Sequence, residues 1–265
     1  MNAVTTASGD NRTGWRGVSK RRAFLMHLAM SATIVGAVCA VIFFIWYPAP
    51  YFGIKGAWNV LRILIGVDLI LGPLLTLILF RPGKRGLALD MAMIAMIQLS
   101  ALLYGSAVIF QERPYFAVFA VDRFEILAKR DVDATALAAT EFADKPLVGP
   151  VLVIATIPSD PAEFQRLLEE TVFEGKPDID RRPAHWSAFA DSIDAVLSRA
   201  APLSTLLAQQ PGAAEEIARI SRDLELNPDD IDYVPVIGGD RALTLVIDSE
   251  TALPLAVLDF DPWAG

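Results

Sequence analysis

Cysteine is almost missing from this sequence: its 265 residues include one, Cys39. A lone thiol excludes an internal disulfide, a CxxC redox pair and a multi-cysteine metal site. Any exported part of the chain must therefore hold together by packing alone. Histidine is nearly as scarce, with only His27 and His185. No HExxH, GxSxG, P-loop or GxGxxG pattern occurs, so the usual hydrolase and nucleotide-binding chemistries have no motif to rest on. The residues support no enzyme and require no cofactor or metal.

Charge is scarce only in places. Residues 1–110 carry ten Lys/Arg and three Asp/Glu, whereas residues 111–265 carry thirteen and twenty-eight. Hydrophobic residues make up 54% and the mean hydropathy is +0.42. That is too apolar for an ordinary soluble domain and too polar for a chain that is membrane throughout. The sequence divides into a basic, membrane-like half and an acidic half long enough to bury its own core. The acidic balance argues against nucleic acid as a partner, because phosphate binding needs clustered Lys/Arg.

Residues 1–22 read as a disordered basic cytoplasmic tail with Arg12, Arg16, Lys20, Arg21 and Arg22. A three-helix transmembrane domain is expected over 23–112, with spans at about 23–47, 60–80 and 87–110. The first span imitates a cleavable or twin-arginine signal, but its apolar run is too long for one and two more runs follow. Trp46, Tyr47, Tyr51 and Trp58 flank a Pro/Gly loop, the pattern of a membrane–water interface. The tail holds five Lys/Arg and the 81–86 turn three, against Lys55 alone in the 48–59 loop. The positive-inside rule puts the tail in the cytoplasm and exports everything after the third span. For a Gram-negative source this means a multi-pass inner-membrane protein with a periplasmic C-terminal domain.

That domain, 113–265, is expected to be a small α+β fold. One strand is expected over 115–127 (YFAVFAVDRFEIL) and another over 150–157. A helix is expected over 131–141 and one over 161–173, the latter capped by Ser159-Asp160 with Pro161 at its first position. Further helices are expected over 187–200, 202–209 and 212–224, and strands over 233–237, 242–247 and 253–260. The last two strands form a hairpin through Asp248–Thr251. Residues 174–183 read as a loop, and His185-Trp186 as a binding loop or an interfacial tryptophan. Asp229, Asp230 and Asp232 lack a calcium-loop pattern and read as a solvated turn.

The unusual residues lie in the second span. Asp68 places a carboxyl group deep in an apolar run, a costly position that is functional or bundle-facing by default. Pro73, after Gly72, removes an amide donor and predicts a kink. Asp68, Gly72 and Thr76 recur every four residues as a small or polar stripe suited to helix packing. Ala32, Gly36 and Ala40 offer such a face on the first span, and Ala95, Gln98 and Gly105 on the third. Depth matching places Asp68 near Gln98 and Tyr104. Three roles stay open for it: a structural acid bonded to Gln98 or Tyr104, a contact to a partner's membrane helix, or a proton carrier. His27 and Asp90 lie about one turn inside the cytoplasmic face. They pair with each other or reach headgroups, or His27 faces an acid on a partner helix.

WYPAPYF (46–52), GVDLILGPLLTLILF (66–80), RPGK (81–84), RPYFAVFAVDRFEIL (113–127) and LDFDPW (258–263) occur in this order. In these blocks the chain resembles the TfpX/TfpZ-type type IV pilin accessory proteins. The resemblance implies an inner-membrane protein that assists assembly or surface display of a cognate pilin, with no active site or cofactor. It implies contacts with the pilin's membrane helix and globular head, with membrane lipids and with other pilus assembly proteins. Asp68, Gly72, Thr76 and His27 are the candidate partner-binding residues, and Pro73, Gln98, Tyr104 and Asp90 the candidate structural ones. The competing class is a membrane-anchored extracytoplasmic sensor. Its cytoplasmic parts would be a tail and a six-residue turn, so it would have to signal through another protein.

Overall fold

The computed structural model describes residues 17–144, 146–227 and 230–263. Residues 1–16 of the expected tail, and Pro228 and Asp229 of the expected acidic turn, lie outside it. Among the described residues, three helices are long and apolar enough to cross a membrane: α1 (Lys20–Trp46), α3 (Trp58–Leu79) and α4 (Leu87–Gln111). A short helix, α2 (Tyr51–Lys55), lies between the first two in sequence. Leu, Ile, Ala and Met fill the long runs, and these have good or fair helix propensity. Gly56 ends α2 and Gly86 precedes α4, both at positive φ, where glycine carries no Cβ penalty.

The described residues form two compact units, one of those up to Cys39 with Trp58–Val108, the other of Ala40–Ala57 with those from Ile109 onward. In the first unit, Val35, Leu64 and Leu102 are buried together, as are Ala23, Phe80 and Leu87. Gly105 admits Leu64, whose Cδ1 would stand 3.3 Å from an added Cβ. The small-residue face expected on α1 is not the packed one. Ala32, Gly36 and Ala40 are exposed, while Ser31 and Val35 are buried. The phase follows from His27: at spacing four, His27, Ser31 and Val35 share a stripe, and the alanines lie about 100° round the helix.

The second unit is built on an eight-stranded mixed sheet. Its strands are β1 (Phe116–Ala120), β2 (Arg123–Leu127), β3 (Val151–Ala155), β4 (Trp186–Ala188), β5 (Ala201–Pro202), β6 (Ile231–Gly238), β7 (Arg241–Asp248) and β8 (Pro254–Leu258). The order is β4-β3-β1-β2-β6-β7-β8, with β5 paired to β6. The β1–β3 and β2–β6 pairs are parallel, and the other pairs antiparallel. Both faces of β1 are buried. Ala117 and Phe119 join Phe124, Val234 and Leu245 on one side, while Phe116, Val118 and Ala120 join Val153, Leu167 and Trp186 on the other. This is why its sequence reads as one continuous apolar run.

Local expectations gave way in three places. The 115–127 stretch is a hairpin: the chain reverses at Val121, with φ of 62°, and the Asp122 amide reaches back to the Ala120 carbonyl at 2.7 Å. Over 131–141 the helix shrinks to α5 (Ala134–Ala138), capped by Asp133. Residues 186–188 pair with β3 as a strand, because a ladder partner outweighs their helical pattern, and α7 (Ile193–Leu197) follows. Trp186 is therefore a core residue, its ring centroid 4.8 Å from that of Phe116. The helix α6 (Pro161–Val172) starts at its Asp160 cap as expected, the carboxylate accepting from the Ala162 amide at 3.1 Å. Two more helices, α8 (Leu203–Gln209) and α9 (Ala214–Asp223), pack Leu206, Ile217 and Ile220 against Tyr233 and Val246.

The aromatic loop expected at a membrane interface belongs to this second unit. Tyr51 and Ile54 of α2 are buried in the sheet core, and Tyr47 donates its hydroxyl to the Ile109 carbonyl at 2.7 Å. The Lys55 ammonium faces the Asp131 carboxylate at 3.9 Å, and burial lowers its pKa. Gly238 makes room for α2: an added Cβ would stand 2.6 Å from the Ile54 carbonyl oxygen. Ile54→Ala should therefore lower stability by about 2–5 kcal/mol. Phe44→Ala, at a side chain 74% exposed, should change it by less than about 0.5 kcal/mol. Unfolding of the detergent-solubilised chain, followed by tryptophan fluorescence, checks both. Equal effects of the two would show that α2 is not part of the core.

Candidate functional site

The site forms where polar residues of the three long helices meet, inside the first unit. It begins with a change of hydrogen-bond register. Over Gly66–Leu71 the second long helix is π-helical, and the Gly72 amide bonds the Val67 carbonyl five residues back. The next such bond would run from residue 73 to the Asp68 carbonyl, but Pro73 has no N–H to give. The Asp68 carbonyl is left open, and Gln98 fills it: its Nε2 donates to Asp68 O and to Asp68 Oδ1, each at 3.2 Å. A π turn in place of a plain proline kink is a recurrent device at functional sites.

Gly72 makes this approach possible, since a Cβ there would overlap the Gln98 amide. On its other side Gln98 meets His27, with Nε2 of the ring 2.7 Å from Gln98 Oε1. The amide oxygen can only accept, so His27 Nε2 carries a hydrogen. His27 Nδ1 lies 2.5 Å from Thr76 Oγ1. A chain of bonds thus runs Thr76–His27–Gln98–Asp68 and ties all three helices together. Asp68 is 4% exposed, Thr76 2% and Gln98 8%. One atom is left over: Asp68 Oδ2 is buried and has no hydrogen-bond partner among the described residues.

The cluster lines a groove of about 460 Å³ whose walls are otherwise almost wholly apolar. Asp68, Gly72, Thr76, Gln98 and His27 are thus brought together around Pro73. Two expected partners are not. Tyr104 is 75% exposed, because six residues after Gln98 a helix has turned about 240° away; matched depth does not imply a matched face. Asp90 ion-pairs with Lys84 of the basic turn and not with His27. The latter is held against Gln98, about 12 Å further along the helix. Both His27 ring nitrogens are bonded within the chain, to Thr76 and Gln98. The bond to Thr76 and the π turn were missed by sequence reasoning. The available signal was a proline five residues after an intramembrane acid.

The comparisons with known proteins are consistent among themselves. A family model described as fimbrial assembly protein FimB matches residues 15–56. The fimbrial assembly protein of serogroup I from Dichelobacter nodosus is 31% identical over 227 residues, 84% of this chain and 88% of the relative. Its serogroup E1 counterpart is 33% identical over 230 residues, with the same shares covered. The protein of serogroups C1 and C2 is 40% identical over 109 residues, 40% of this chain and 83% of that one. No solved structure matches.

Gln98→Leu would strip His27 Nε2, Asp68 Oδ1 and the Asp68 carbonyl of their partner at once. Each buried polar group left unpaired costs about 1–3 kcal/mol, with the lower end applying where unfolded helices find substitute partners. Thr76→Val releases one ring nitrogen and should cost only about 1 kcal/mol. Thermal unfolding of the purified chain in detergent should therefore rank wild type above Thr76→Val and Thr76→Val above Gln98→Leu. A Gln98→Leu protein as stable as wild type would mean that the bond chain does not hold the helices.

Proposed function

The chain belongs to the fimbrial assembly protein family, and from that premise we propose that it serves type IV pilus assembly as a non-catalytic accessory protein that binds its cognate pilin. The observation that carries this reading is the helical unit itself. Three long apolar helices surround a polar, bonded cluster beside an open apolar groove, which suits holding another membrane helix and offers no catalytic constellation. Small and polar residues at such a face let helices approach and hydrogen-bond. The transmembrane domain is taken as 23–112 and the exported domain as 113–265. The Lys/Arg of the tail and of the 81–86 turn orient both toward the cytoplasm. The sheet domain then stands in the periplasm, where a pilin's globular head resides before assembly. Holding helix and head together would keep the pilin ready for extraction while shielding helix surface that later packs in the fibre. Asp68 is the group through which the helical unit does this, with Gly72, Thr76, His27 and Gln98 as its supports.

Deleting the gene should reduce surface fimbriae, and the full chain should co-purify with its fimbrial subunit from solubilised membranes. Unchanged fimbriation together with no co-purification would overturn the proposal. Topology is tested in a Cys39→Ser background. An impermeant maleimide should label Glu250→Cys in cells with a permeabilised outer membrane and should leave Arg85→Cys unlabelled until the inner membrane is opened. The reverse pattern would invert the orientation.

A further inference from the structure

The bond chain has one open position, and it belongs to a residue that lines the groove. Thr76, both His27 nitrogens and both polar atoms of the Gln98 amide are engaged. Asp68 Oδ1 accepts from Gln98, and Oδ2 accepts from nothing. Its residue is 4% exposed and lines the groove, so bulk water does not reach it freely. A buried carboxyl oxygen left without a hydrogen-bond partner is a costly arrangement.

The groove walls bear on what would relieve it. Met26, Met30, Met91, Ile34 and Leu99 line it, and methionine side chains adapt their shape to whatever lies against them. Met26, Met30 and Leu99 are more than half exposed, which leaves the groove open on the side that would face lipid. An acyl chain would satisfy the walls and leave Oδ2 unpaired. An apolar helix bearing one donor satisfies both.

Resting on the function proposed above, we infer that this groove takes a membrane helix of the fimbrial subunit, and that Asp68 Oδ2 accepts a hydrogen bond from a hydroxyl or amine on that helix. Asp68 is then the residue that selects the client, because a helix without a donor leaves the carboxylate unpaired. His27 and Gln98 are positioning residues. Gln98 occupies Oδ1 and the Asp68 carbonyl, so that Oδ2 alone is left unbonded. Asp68→Asn reverses this polarity. Its carbonyl oxygen must stay toward the Gln98 amide, so its own NH2 takes the place of Oδ2 and meets a donor with a donor.

The test places a photo-crosslinking residue at Met30 or Leu99, on the groove rim and outside the bond chain, in full-length protein in membranes that also contain the fimbrial subunit. Illumination should link both positions to the subunit. Asp68→Asn should cut the yield about tenfold or more, as losing one hydrogen bond to a charged group does, while chain abundance and thermal midpoint stay near wild type. Links only to lipid, or only to a second copy of this chain, would overturn the inference, as would an undiminished yield from Asp68→Asn. Because Met30 and Leu99 are probed with Asp68 intact, a poorly folded Asp68→Asn still leaves occupancy of the groove decided. If the subunit co-purifies with the chain but neither rim position crosslinks to it, the inference fails and the proposed function stands. If the subunit does not co-purify, the function itself fails.

Discussion

An amide hydrogen that Pro73 does not have sets the geometry of the helical unit. In the π register of Gly66–Leu71 that hydrogen would have closed on the Asp68 carbonyl, and an open carbonyl among apolar helices must find another donor. Gln98 of the third long helix is that donor. Its amide is bifunctional, so filling the gap also brings its oxygen to His27 and, through His27, reaches Thr76. One backbone vacancy thus recruits a side chain from each of the other two helices. Gly72 matters for the same reason, since any side chain there would displace the Gln98 amide.

The sheet unit answers to a different constraint. With both faces of β1 covered, it needs apolar material on two sides. Part of one cover comes from far upstream in the chain: α2, between the first and second long helices in sequence, contributes Tyr51 and Ile54. The core is therefore assembled from two separated stretches of sequence. A loop whose aromatic content suggests headgroup contact spends two of its tyrosines, Tyr47 and Tyr51, on protein interior. Aromatic composition alone does not distinguish the two uses, because an interface belt and a buried anchor both favour amphipathic rings.

Legibility differed in the same way at the site. Asp68, Gly72 and Thr76 stand four apart on one helix and are readable as a stripe, and Pro73 as a disturbance. Gln98 against Asp68 was one of two partners that depth allows; rotation about the helix axis excludes the other, Tyr104. His27 could be assigned a depth but not an orientation. The unpartnered Oδ2 had no signature in sequence at all, since an unmet hydrogen bond is a property of the surroundings.

By itself the sequence determined the class of the molecule: three apolar runs long enough to cross a membrane, an acidic α+β domain after them, and a family resemblance carried by ordered motifs. The first two follow from composition, periodicity and local propensity, which neighbouring residues set among themselves. Only the tertiary structure decided that 115–127 turns back as a hairpin, that Trp186 is core, that α1 packs through Ser31 and Val35, and which carboxylate oxygen is left without a donor. Each of these depends on a partner distant in the chain, and the free energy of such a contact is not contained in either segment alone.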